Sequence, residues 1–198
     1  MSAEVTVAGA PGYPVRYDVE YPEELSRWLI FVKWLLAIPH FMILWALSSA
    51  AWVMGFIAFF AILFTKRYPR GLFDFVVNFN RWSLNVDAYT GLLRDEYPPF
   101  SWEPGQYAVT YEVDYPEQLN RWLPLVKWWL LAIPHYIVLF ALGIAAFVVC
   151  IIAWFAILFT KRFPRGLFDF VVGVTRWQYR VDAYTGLLRD EYPPFSLK

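Results

Sequence analysis

Two histidines, two lysines and two basic clusters are the residues whose types and settings suggest chemistry. His40 and His135 are the only histidines, and each follows a proline in the tetrapeptide AIPH inside a long apolar run. Ionisable groups in such runs invite a functional reading, here ligation of a haem or chlorin metal or a step in a proton path. The structural reading is an imidazole bonded to the carbonyl that the adjacent proline frees. With no Cys, Asp or Glu beside either histidine, the structural reading is favoured, and no metal or cofactor is expected. Lys33 and Lys127 lie just inside the same runs. They are expected to snorkel to the headgroups among Trp28, Trp34, Trp122, Trp128 and Trp129.

The clusters Lys66, Arg67, Arg70 and Lys161, Arg162, Arg165 follow the runs in the pattern KR-x-PRG. Such clusters set membrane orientation, and their sharper reading is a binding site for anionic lipid headgroups. Asp95-Glu96 and Asp190-Glu191 form acidic pairs with no nucleophile or base nearby in sequence. There is no Gly-rich phosphate loop, no HExxH and no GxSxG. No catalytic residue is assigned, and an enzyme is not expected.

Those residues sit in an unusually apolar chain. Of 198 residues, 59% are hydrophobic and 21% aromatic, whereas soluble domains are about 45–50% apolar. With 17 basic and 17 acidic residues, no net field favours nucleic acid. The charges avoid two stretches, Trp28 to Phe64 and Trp122 to Phe159, where only Lys33, His40, Lys127, His135, Tyr136 and Cys150 are ionisable. Runs of that length indicate a bilayer. Cys150 is the only cysteine, which excludes an intrachain disulfide. The first dozen residues lack a basic region followed by an apolar stretch, so the first run is expected to direct insertion itself.

The chain repeats. YPEELSRWLIFVKW from Tyr21 returns as YPEQLNRWLPLVKW from Tyr115, AIPH from Ala37 returns from Ala132 after one inserted residue, and DAYTGLLRDEYPPFS is identical from Asp87 and Asp182. A period of about 95 residues is far longer than a solenoid repeat, so this is a duplicated unit. The organisation is a tail (1–12), repeat one (13–100), a linker (101–106) and repeat two (107–198). Ser48-Ser49 becomes Gly143-Ile144 and Asn78 becomes Gly173 between the copies.

Each unit opens with alternation, Tyr13, Val15, Tyr17, Val19, Tyr21 against Pro14, Arg16, Asp18, Glu20. That is a half-buried strand with an open edge, ended by Pro22 or Pro116, which suit the first turn of a following helix. The apolar run after it is slightly shorter than the roughly 40 residues two full spans need. The run makes either a thin helical hairpin or one crossing plus an interfacial helix, and basic residues at both of its ends favour the hairpin, which puts all of them on the cytoplasmic face. The turns are expected near Ser48-Ser49 and Gly143, giving four crossings and cytoplasmic termini. Leu72, Phe75, Phe79, Trp82, Val86, Tyr89 and Leu93 then recur at helical spacing, with Asp74, Asn78, Arg81 and Asn85 opposite. They predict an amphipathic helix in the interface or against the strands, its polar face mostly solvated, with strands over RWSLNVDAY and RWQYRVDAY as the alternative by local alternation. The fold class is therefore a mainly α membrane protein of two tandem repeats.

The combination of YPEEL-RWL-VKWLLAIPH, FAILFTKRYPRGLFDFVV and DEYPPFS resembles a bacterial membrane family, domain of unknown function 4389, over nearly the whole chain. The resemblance implies the bacterial cytoplasmic membrane and supplies no activity. From the residues, the expected function is a non-catalytic membrane scaffold or accessory subunit whose partners are lipids and other membrane subunits or further copies of itself. The alternatives are a lipid or small-molecule transporter with a path between the repeats, or a haem- or pigment-binding subunit using His40 and His135.

Overall fold

A computed structural model describes residues 13–198; the tail, residues 1–12, lies outside the described residues. The elements are β1 (Val15–Val19), α1 (Leu29–Leu36), α2 (Ile38–Thr65), α3 (Arg70–Thr90), β2 (Val109–Val113), a 3-10 turn (Leu123–Leu125), a π-helical turn (Lys127–Leu131), α4 (Ile133–Thr160) and α5 (Arg165–Thr185). Residues from Glu20 to Trp28 are not helical, so Pro22 ends the strand without starting a helix.

The expected hairpins do not form. α2 is unbroken through Ser48-Ser49 and α4 through Gly143. The physical reason is local: Ser48 Oγ donates to the Trp45 carbonyl, the back-bonding by which a helix tolerates serine, and no proline interrupts either stretch. The two helices, of 28 residues each, are long and apolar enough to cross a membrane. A single stripe of each is covered, including His40, Leu44, Ala58 and Ile62 in α2, and the rest lies open, with Trp52 82% exposed.

β1 and β2 pair antiparallel with each other, which closes one edge of each strand. Tyr17 lies opposite Tyr111, its equivalent in the other repeat, so a pseudo-twofold axis passes between them, perpendicular to the sheet. Val15, Tyr17, Val19, Val109 and Tyr111 point into the core, as period-two alternation requires. The strands are exchanged: β1 packs on α5 of the second repeat and β2 on α3 of the first. Further crossed bonds follow the same rule, Tyr21 Oη to the Phe163 carbonyl and Tyr115 Oη to the Tyr68 carbonyl.

α3 and α5 form the middle layer, between the sheet and the apolar helices. Their predicted helical periodicity holds, but the polar face is not mostly solvated. Arg176 Nε donates to the Tyr17 carbonyl at 2.7 Å and its Nη2 pairs with Asp18 at 3.0 Å. Arg81 does the equivalent to the Tyr111 carbonyl at 3.3 Å. These guanidiniums satisfy strand carbonyls that the two-stranded sheet leaves open. Arg180, fully buried, donates to the Lys198 carbonyl, and burial followed by the neighbouring Arg176 charge pushes its pKa down. The exchange of Asn78 for Gly173 also has a cause here. A Cβ at Gly173 would stand 2.9 Å from Leu197, whereas Asn78 accepts from Arg81 at 2.6 Å.

The ends of the long helices fix their direction. Leu25 N donates to the Lys161 carbonyl, and Leu119 N to the Lys66 carbonyl, both at 2.8 Å. Lys66 and Lys161 are equivalent, so they share one height along the pseudo-twofold axis. Leu25, before the first apolar stretch, therefore lies level with Lys66 at its end. α1 adds only about 12 Å of length, against about 42 Å for α2. α2 and α4 thus run across the axis, antiparallel to one another.

Candidate functional site

In each repeat the polar residues of the apolar run meet the DEYPPF segment that follows the amphipathic helix. Lys33 is 2% exposed. Its Nζ lies 2.8 Å from Asp95 Oδ1, donates to the Arg94 carbonyl at 2.6 Å, and sits 5.1 Å from the centre of the Tyr89 ring. Lys127 repeats this with Asp190, the Arg189 carbonyl and the Tyr184 ring. Neither lysine snorkels outward, because a carboxylate, a carbonyl and an aromatic face already satisfy it inside. The second Asp95 oxygen accepts from Ser26 N, as that of Asp190 does from Asn120 N. Glu96 and Glu191 pair with Arg94 and Arg189. All four acidic-pair carboxylates are therefore engaged.

The histidines are held differently from the expectation. Trp82 Nε1 donates to His40 Nδ1 at 3.1 Å, and Trp177 to His135 at the same distance. His40 stacks on Phe100 with ring centres 3.9 Å apart, and His135 on Phe195 at 4.2 Å. The partner is thus an indole N–H from the amphipathic helix, not a freed carbonyl. The two rings are enclosed separately, each by aromatic residues of its own repeat, and both are fully buried. Among the described residues no three His, Cys, Asp or Glu side chains are grouped to hold a metal ion.

The family described as Domain of unknown function (DUF4389) matches residues 27–101 and 124–196. The chain belongs to the DUF4389 family. No curated protein matches the chain, and no solved structure does. Both DUF4389 matches run from just before the buried lysine to the end of the PPF segment and leave out the exchanged strands. The Lys–Asp and His–Trp arrangements therefore lie wholly inside the two DUF4389 units.

The inserted residue between the copies shows how closely this arrangement is kept. Lysine and its carbonyl partner are 61 positions apart in the first repeat and 62 in the second, while histidine and tryptophan are 42 apart in both. The extra residue thus falls between Lys127 and His135. It is absorbed by the π-turn, in which Ala132 N bonds the Lys127 carbonyl where Ala37 N bonds that of Lys33. A bulge of this kind adds one residue without turning the flanking helix faces. Deleting Trp129 is accordingly expected to change stability by less than about 1 kcal/mol, since it restores the first repeat's geometry. Deleting Trp34 swings Lys33 by about 100° and is expected to cost roughly 3–5 kcal/mol by separating it from Asp95. Thermal unfolding of the two variants in one detergent checks this, and equal losses would contradict it.

The basic clusters divide. Arg70 pairs with Asp74 at 3.1 Å and lies over the Tyr115 ring of the other repeat; Arg165 does the same with Asp169 and Tyr21. Arg67 and Arg162 point out at the surface. Lys66 and Lys161 instead line two equivalent grooves, the first with Gln118, Leu119, Asn120, Arg121 and Trp122, the second with Glu24 to Trp28. Sequence reasoning named Lys66, Lys161, Trp28 and Trp122 but missed the other groove residues and the Trp82 and Trp177 donors. The constant histidine-to-tryptophan spacing was the available signal for the donors.

Proposed function

We propose that the chain is a non-catalytic membrane scaffold that lies in one leaflet of the bacterial cytoplasmic membrane. α2 and α4 are immersed among the acyl chains, and the sheet faces the cytoplasm. The observation that carries this reading is that Leu25, ahead of the first apolar stretch, and Lys66, at its end, share one level along the pseudo-twofold axis. With the membrane normal along that axis, both helices lie in the membrane plane and all the basic clusters fall on one side, as the positive-inside rule prefers. With the normal along the helices, the sheet would sit at mid-depth. That would put Arg16, paired with Glu112 at 3.1 Å and Asp114 at 2.8 Å and partly exposed, into lipid, at high cost. The open faces of α2 and α4, with Trp45, Trp52, Phe140 and Phe147 largely exposed, suit an apolar solvent. A helix satisfies its own backbone, so immersion leaves few polar groups unpaired.

Cysteines in a Cys150→Ala background test the seating. Ser26, Arg67, Asn120 and Arg162, at both ends of each helix, are expected to react with impermeant reagent from the cytoplasmic side only. Cysteines at Trp52 and Phe147 are expected to react from neither side. Labelling of Ser26 and Arg67 from opposite sides would establish single crossings instead, and external labelling at Trp52 would establish a hairpin.

A further inference from the structure

We propose that the two grooves at the helix ends each bind the phosphate of an anionic lipid headgroup, and that the groove at Lys66 is the stronger of the pair. The inference rests on the membrane seating, which sets both grooves at headgroup depth beside the immersed helices. Each groove is built across the repeats: Lys66, ending α2, faces Asn120, Arg121 and Trp122, and Lys161, ending α4, faces Ser26, Arg27 and Trp28. Each therefore offers a lysine, an arginine, a small polar side chain and an interfacial tryptophan. The walls are fixed by the bonds of Leu119 N to the Lys66 carbonyl and Leu25 N to the Lys161 carbonyl. Both lysines hold a left-handed backbone, φ 59°, which ends the helix and turns the chain at the groove.

The two grooves differ in charge. The first contains no acidic residue, because its rim position is Gln118, and it is an open groove of about 650 Å³. The second carries Glu24 at that position and is an open groove of about 420 Å³. Arg121 Nε is buried without a hydrogen-bond partner, while Arg27 already donates to the Phe159 carbonyl at 3.1 Å. An anion therefore meets two cations and no carboxylate in the first groove, and two cations offset by a carboxylate in the second. Arg70 and Arg165, held by Asp74 and Asp169, lie outside both linings.

Native mass spectrometry of the full chain in neutral detergent, with short-chain phosphatidylglycerol added, tests this independently of orientation in a bilayer. Two adducts of unequal affinity are expected. The pair Lys66→Gln with Arg121→Gln should weaken the tighter one about thirtyfold, each basic group near a membrane surface being worth roughly a fivefold factor. Lys161→Gln with Arg27→Gln should remove the weaker one, and Arg70→Gln with Arg165→Gln should change neither. Gln118→Glu, which removes no contact, should bring the first groove down to the affinity of the second, so the proposal does not depend on the double variants folding. Unchanged adducts in Gln118→Glu, or loss confined to the Arg70 and Arg165 variant, would overturn it. Displacement by inorganic phosphate at the lipid's own concentration would overturn the lipid as occupant. Failure of the membrane seating would register only in the cysteine labelling.

Discussion

Replacing Asp95 with alanine is expected to lower the stability of the folded chain by about 3–5 kcal/mol, because it leaves the Lys33 ammonium buried without its counter-ion. The opposite truncation, Lys33→Met, should cost less. Asp95 is still partly reached by solvent, at 23% side-chain exposure, and it keeps its bond from Ser26 N. Combining Lys33→Met with Asp95→Asn should recover most of the loss, since a buried ion pair replaced by neutral groups of similar size is often near neutral. Denaturant unfolding in detergent gives the three values. A loss below about 1 kcal/mol for Asp95→Ala would mean that the pair behaves as a solvated one. Asp190→Ala should behave like Asp95→Ala, and the two should add, because each pair is contained within its own repeat.

The second repeat expressed alone, residues 101–198, is expected to be a dimer. β2 packs on α3 of the first repeat, and α5 receives β1. A lone unit therefore has a strand with no helix to lie on and a helix with no strand to cover it. Two copies can satisfy each other by the same crossed arrangement, which is the low-cost route of element exchange. Crosslinking in detergent should give dimers of residues 101–198 and monomers of the full chain. Arg176→Ala should weaken the dimer, since Arg176 binds the carbonyl of the incoming strand. A stable monomeric fragment would show that the strand exchange is dispensable.

Much of this architecture is legible in the residues. Duplication is visible as repeated strings, the strands as Tyr–Val alternation, and α3 and α5 as apolar residues at three- and four-residue spacing. What was not legible has physical causes. An apolar run carries no periodicity that separates one long helix from two short ones, and the charges at its ends are on one side in either case. They fall together in a hairpin, and equally when an unbroken helix lies level. The polar face of α3 reads as solvated because a sequence does not reveal that Arg81 will reach a strand from the other repeat. Lys33 reads as snorkelling for a similar reason, since its partner Asp95 is far along the chain.

The crossed strands also set an order on synthesis. Tyr17 belongs to β1, yet the Arg176 guanidinium that holds its carbonyl follows 159 residues later. Until α5 is complete, β1 has no permanent surface, and contacts this distant in sequence form slowly because a long loop must close first. During that interval the β1 of one nascent chain can lie on the uncovered α3 of another, the helix equivalent to α5. The linker of residues 101–106 counters this by holding the correct partner at high effective concentration. The tandem arrangement thus acts as a built-in safeguard against pairing with the wrong chain.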